Sequence, residues 1–353
     1  MRVRTLQAST QKETSIFRLR LRILLAIALV ATLSFSLLAG CQPQATAEET
    51  PMSEQEVSAG LVGPVTFTDD LGNEVTVEDP QRVVATMGSF GKIWELAGGT
   101  LVGISDDVDT YSGYALSSPN VQRVGAFTSI DLERVIALNP DFVIMTGLST
   151  GRAGTGSQLE FKETLEASGI TVAFFTVTVF QDYLRMLDVC TQITGRSDLF
   201  ETNGTEVKAR VEATLSQVPK VADDKKPRIL LMTTYSGGQQ LLDAKTQNGS
   251  ILSFLGTVNI AEANPSLLKE FSLEAIIEAN PDFIFVQPRG ENAQEAARIL
   301  EELTAADPAW NQLDAVKNGK FITLESELFL YKPNERWDEA YKMLFDYLYK
   351  EGK

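Results

Sequence analysis

Two stretches of this chain, 130–144 and 271–285, are copies of one another, and that duplication limits the possible folds more than any other feature of the sequence. Laid side by side, seven of fifteen positions are identical: Leu132 with Leu273, Glu133 with Glu274, Ile136 with Ile277, Asn139 with Asn280, Pro140 with Pro281, Asp141 with Asp282 and Phe142 with Phe283. Each copy reads as a short amphipathic helix running into a buried strand. Asp131 or Ser272 is placed to cap the helix, and a glutamate in the first turn suits its positive end. An apolar stripe follows at helical spacing, Asn-Pro stops it, and Phe-Val-Ile or Phe-Ile-Phe enters a sheet. A strand apolar on both faces belongs in a parallel sheet covered by helices on both sides. The repeat therefore predicts two α/β lobes, each with its own layers.

The rest of the chain fits around the repeat. At 353 residues it exceeds the size at which one core usually keeps growing. An N-terminal lobe is expected over 63–179, opening with a hairpin about Leu71-Gly72-Asn73. A strand at 82–87, a helix closed by Gly98 and Gly99, and a strand at 101–105 follow. Residues 180–218 read as a connecting backbone helix with an apolar stripe at Leu184, Leu187, Cys190 and Ile193 and another at Val207, Val211 and Leu215. Gly195 and Gly204 can bend it. The C-terminal lobe is expected over 219–353, with its first strand at Arg228 and a last helix that Pro333 begins near N1, with Trp337 and Tyr341 on one face.

Residues 1–40 carry six basic residues and one acidic, then the apolar run 23–40, which has the layout of an export signal. Its end, Leu38-Ala39-Gly40-Cys41, resembles a bacterial lipobox, so Cys41 is the expected lipidation site and membrane anchor; a retained membrane helix is the other reading. Residues 41–62 are polar and aperiodic, a flexible tether. Only one other cysteine exists, Cys190, so an intrachain disulfide is not expected once Cys41 carries lipid. The absence of histidine removes the commonest zinc ligand and general base, and neither a metal site, a cofactor nor a catalytic residue is expected. A net charge of −16 argues against nucleic acid as a partner.

The string from Phe67 to Asp107, "FTDDLGNEVTVEDPQRVVATMGSFGKIWELAGGTLVGISDD", resembles the periplasmic-binding-protein family of ABC importers that handles ferric siderophores, haem and corrinoids. Two further stretches extend the resemblance to nearly all of 65–347: "SLEAIIEANPDFIFV" and "DPAWNQLDAVKNGKFITLESELFLYKPNERWDEAY". It implies the class III fold, two Rossmann-like α/β lobes joined by one long helix, in a monomeric, extracytoplasmic receptor. That receptor would pass a small-molecule metal chelate to an ABC permease and its ATPase subunit, with a corrinoid, haem or an oxyanion as alternative ligands. Many relatives dock through a glutamate on the first helix of each lobe. Here the matching places hold Lys92, with Glu95 one turn on, and the neighbourhood of Ser250.

Ligand contacts are expected where parallel strands end. In the first lobe these are Met87, Ser89, Phe90, Asp106, Asp107, Thr146, Ser149 and Thr176; in the second, Thr234, Tyr235, Ser236, Gln287, Arg289, Phe329 and Tyr331. Among them Arg289 suits carboxylate or catecholate oxygens, and the rings of Tyr235 and Phe90 suit an apolar chelate face. The glycine-rich loop 147–157 matches neither a dinucleotide nor a P-loop fingerprint and reads as a mobile cleft-edge loop. A lipid-anchored cleft hydrolase is the rival from another class. Ser-His and Cys-His pairs are impossible without histidine, and Asp106 and Asp107, adjacent at a strand end, are expected to point apart.

Overall fold

The structure is a computed structural model, described over residues 63–110, 114–147, 158–235, 238–289, 298, 301–302, 304–305 and 307–350. The export signal, the tether, Cys41, Ser149 and Ser236 lie outside the described residues, as does all of the glycine-rich loop except Gly147. Among the described residues no helix is long and apolar enough to cross a membrane.

The chain opens with an antiparallel hairpin, β1 (Val65–Thr68) and β2 (Glu74–Val77). Asp69 organises its turn, accepting from the backbone of Leu71 (3.0 Å) and Asn73 (2.8 Å), while Gly72 takes φ +86°. There follow β3 (Val83–Ala85), α1 (Gly88–Leu96), β4 (Leu101–Ile104), β5 (Gln122–Arg123), β6 (Gly125–Ala126), β7 (Ser129–Ile130), α2 (Leu132–Ala137), β8 (Phe142–Thr146), α3 (Lys162–Ala167) and β9 (Thr171–Phe175). The first large sheet has the order β5-β4-β3-β8-β9, all parallel.

The connector is helical but not one rod. Helix α4 (Phe180–Thr194) ends at Gly195, whose φ of 69° no ordinary helix accommodates. Helix α5 (Ser197–Phe200), a π-turn at Glu201–Thr205 and α6 (Glu206–Leu215) then run on, with Gly204 lying against the Phe200 ring. Gly195 thus breaks the connector, whereas Gly204 is absorbed in the π-turn.

The second half contains β10 (Arg228–Tyr235), β11 (Gly238–Leu241), α7 (Gln247–Phe254), β12 (Val258–Asn259), α8 (Ile260–Ala263), α9 (Leu273–Ala279), β13 (Phe283–Pro288), α10 (Asp314–Lys317), β14 (Phe321–Thr323), α11 (Ser326–Phe329) and α12 (Trp337–Tyr349). Its sheet runs β11-β10-β13-β14, with β12 also on β10; β11 is antiparallel and the other pairings are parallel. The repeated strands β8 and β13 therefore lie in different sheets. Pro333 does not begin α12 directly, because a 3₁₀ turn at Asn334–Arg336 intervenes.

The geometry explains why the repeat spells Asn-Pro-Asp. Asp131 and Ser272 cap α2 and α9, accepting from the N–H of Arg134 (3.1 Å) and Ala275 (3.2 Å). Asn139 and Asn280 then take positive φ, 47° and 41°, a conformation that asparagine tolerates better than most residues. The aspartate that follows reaches across to the neighbouring strand. Asp141 accepts from the N–H of Gln81 (2.8 Å) and Arg82 (3.0 Å) just before β3, and Asp282 from Arg228 N–H (2.8 Å) at the start of β10. Each arginine completes the clamp by donating to the preceding helix end, Arg82 to Leu138 O (2.6 Å) and Arg228 to Ala279 O (3.1 Å).

Side chains alternate along the strands, and the alternation sorts them into three cores. Val84, Val143, Met145, Val172 and Phe174 build an outer core of the first lobe; Leu230, Met232, Ile284 and Val286 build that of the second. The alternate positions, Val83, Ala85, Phe142, Ile144 and Phe175 from one sheet and Ile229, Leu231, Phe283 and Phe285 from the other, enter a single inner core. Helices α1, α4, α6, α7 and α12 fill it, through residues such as Trp94, Tyr183, Val211, Leu252 and Trp337. The lobes are thus not separate layer domains: their inner faces share one core.

Candidate functional site

At the C-terminal ends of the first sheet, polar side chains are tied down by the protein itself. Asp107 accepts from Gly88 N–H (3.0 Å) at the start of α1 and from Ser105 Oγ. Burial pushes its carboxyl above the ordinary carboxylate range, and those two hydrogen bonds only partly offset the rise. A Cβ on Gly88 would stand 2.9 Å from Val108 N, so glycine is required for this approach. Asp106, in the same 3₁₀ turn, is exposed. One strand over, Gln158 closes the ends of β3 and β8: its Oε1 accepts from Thr86 Oγ1 (2.6 Å) and Thr146 N–H (3.0 Å), and its Nε2 donates to Thr86 O and Phe127 O. Beyond β9, half-buried Thr176 donates its N–H to Asp70, which also pairs with Arg185 (2.7 Å).

In the second lobe Thr234 and Gln287 are buried and Tyr235 is half-buried. Arg289 is exposed, its N–H donating to Thr234 O (2.7 Å). Asn248 Nδ2 donates to Gln287 Oε1 (2.8 Å) and to Phe329 O (2.9 Å). Gln247 Nε2 donates to Leu328 O (2.9 Å) and Tyr331 O (3.2 Å). These amides hold the 328–331 segment on the second lobe. A few residues later the same segment grips the first: Asn334 Nδ2 donates to Ser89 O (3.4 Å), and Glu335 pairs with Lys92 (3.2 Å). Residues 328–335 therefore form a strap across the seam between lobes, with Lys332 near its middle.

The structure brings Met87, Asp107, Thr146, Thr176, Thr234, Tyr235, Gln287, Arg289 and Tyr331 to strand ends or the strap, whereas Ser89 lies within α1 and is fully buried. Phe90 and Phe329 are different. Both are fully buried in the inner core, so their rings face protein, not the crevice. Among the docking candidates, Ser250 is buried on α7 and offers nothing to a partner protein. Lys92 also lies over the Tyr114 ring (5.0 Å), and Glu95 accepts from Tyr114 Oη (2.7 Å) and Ser117 N–H (2.9 Å). Both are committed within the chain.

Sequence reading missed Gln158, Asn334 and Lys332. For Gln158 there was no local signal, since its partners lie 12 and 72 residues away. Lys332 adjoins a chosen residue, but a rule based on strand ends stops short of a strap that follows a helix. An open cavity of about 820 Å³, lined by Val108, Tyr114, Leu116, Val121, Arg123 and Arg134 among others, belongs wholly to the first lobe at its edge strand β5. Among the described residues there is no cluster of carboxylates and cysteines suited to a metal ion.

Comparison with known proteins agrees with this architecture. The family model described as periplasmic binding protein matches residues 83–328. The ferric-anguibactin-binding protein FatB of Vibrio anguillarum is 23% identical over 309 residues, covering 86% of this chain and 90% of that protein. A vitamin B12-binding protein of Photorhabdus laumondii is 25% identical over 258 residues, covering 71% of this chain and 82% of its own. The solved structure of the siderophore-binding protein BauB, bound to two molecules of acinetobactin and ferric iron, superposes with a TM-score of 0.63 at 18% identity, covering 80% of this chain and 97% of BauB.

Proposed function

Because the chain belongs to the periplasmic binding protein family, we propose that it captures a ferric siderophore or related metal chelate at the seam between its lobes and delivers it to the permease of an ABC importer. The observation that carries this reading is the convergence at one seam of strand ends from both sheets, crossed by the strap of residues 328–335. Open parallel sheets collect ligands at such ends. The likeness to a ferric-anguibactin-binding protein over 86% of the chain favours a ferric chelate over a corrinoid or haem. The hydrolase reading has no support from these relatives, which are named for binding.

The lipobox-like sequence before Cys41 supports a lipid anchor, which keeps a receptor concentrated beside its transporter. Docking through a paired-glutamate device is not supported, given the internal partners of Lys92 and Glu95 and the burial of Ser250. We propose that the receptor acts as a monomer, as the resemblance to its family implies. Native mass spectrometry of the protein purified from iron-limited cells tests the reading. The expected result is a copurifying mass that matches a metal chelate; a ligand-free protein that also fails to bind added ferric chelates would overturn it.

A further inference from the structure

Resting on the chelate-capture reading, we infer that Gln158 is a positioning residue for the ligand: its buried amide presets the tip of the β6–β7 hairpin beside the ends of β3 and β8. The hairpin cannot hold that place by itself. It has two residues in each strand, Gly125 opposite Ile130 and Ala126 opposite Ser129, with Phe127 and Thr128 as the turn. Two-residue hairpin turns match the twist of their strands when at least the first residue takes a positive φ, and neither Phe127 nor Thr128 does. A two-stranded ribbon is marginal in water even with a good turn. Backbone bonds fix its base, where Val124 N–H donates to Ile104 O (3.0 Å) and Asp131 N–H to Val124 O (2.8 Å). The tip meets a side chain instead: Gln158 Nε2 donates to Phe127 O (2.8 Å).

The same amide reaches two strand ends. Nε2 also donates to Thr86 O (3.1 Å), while Oε1 accepts from Thr86 Oγ1 (2.6 Å) and Thr146 N–H (3.0 Å). Both donors and both acceptor positions of the amide are therefore in use. Gln158, Thr86 and Thr146 are all buried, so water does not compete for these bonds. One small group thus joins places that lie 31, 72 and 12 positions from it in the chain. Phe127 itself is only half-buried, so the tip is held by its carbonyl and keeps surface that a ligand can reach. A tip fixed beforehand spares a ligand the cost of ordering it. The device carries no charge, so it serves chelates of any charge alike.

Two probes test this, a ferric tris-catecholate and a ferric tris-hydroxamate, each titrated by quenching of tryptophan fluorescence. Gln158→Glu keeps the shape and the accepting oxygen but, as a carboxylate, cannot donate to Phe127 O; Gln158→Met keeps the length and removes all four bonds. Both variants are expected to bind about tenfold more weakly, whichever probe the unaltered protein takes. Asp141→Ala is the control, since it loosens the opposite ends of the same sheet and is expected to leave affinity unchanged. Circular dichroism verifies that each variant is folded. Amide hydrogen exchange over residues 125–130 of the unaltered protein gives a reading that depends on no variant: exchange should be slow in the free protein and change little when probe is added. Unchanged affinity in folded Gln158 variants, an equal loss in Asp141→Ala, or fast exchange of 125–130 that slows only with probe overturns the assignment and leaves chelate capture standing. Binding of neither probe by the unaltered protein overturns both.

Discussion

Lys332 carries a stability cost that depends on pH. Its ordinary value is 10.5 and burial lowers it to about 8, with Asp182 opposing the fall and Arg289 adding to it. Between those values the unfolded chain holds a proton that the folded chain has released, so stability rises with pH across that window. Below about 8 the penalty for the charged, half-buried ammonium is present in full. Lys332→Met removes it. We expect the substitution to raise the unfolding free energy by about 1 kcal/mol at neutral pH, a figure discounted for the solvent that still reaches the group. The gain should vanish above about 10.5, where the lysine is neutral in both states. Urea denaturation at the two pH values measures it, and a gain of equal size at both would show that charge is not its source.

At the level of elements, the duplicated helix-strand unit acts as a clamp, and the copies differ in one countable respect. Asp141 accepts from two consecutive backbone N–H groups, those of Gln81 and Arg82, whereas Asp282 accepts from Arg228 alone. Both sites are solvent-exposed, so water takes over part of each lost bond. Asp141→Ala should therefore cost about 1–2 kcal/mol and Asp282→Ala about 1 kcal/mol or less. The test is chemical denaturation of both variants; the reverse order would mean that the clamp's strength does not follow its bond count. These elements were legible in the sequence because their signals are local: a cap, a stripe, an asparagine that can turn left-handed and an apolar strand. The hairpin about Gly72 and the helix ended by Gly98 were legible for the same reason. The strap was not, nor was the burial of Phe90 and Phe329, since distant residues decide both. Ser89 and Asn334 meet across 245 positions, and no pattern within either segment announces the other.

The described body is held by a core that neither lobe owns. Residues facing inward from both sheets join α4, α6 and α12 in one apolar cluster, while each outer face packs its own helices. Trp337 is central to it, fully buried with its ring 5.7 Å from Phe180 and 6.5 Å from Tyr341. Lobes with independent cores could melt separately and swing about a hinge. Sharing a core couples them, because unfolding either one strips apolar surface from the other. Calorimetry should accordingly show one cooperative transition for the described body. Trp337→Ala should lower that transition by an amount that corresponds to about 3–5 kcal/mol without splitting it. A cavity at a mere contact between two self-sufficient lobes would act differently, loosening their attachment and separating the melts into two. Two resolved transitions in the unaltered protein would therefore contradict the shared core, whereas one transition that shifts intact implies that both walls of the seam between the lobes stay in place until the described body unfolds as a unit.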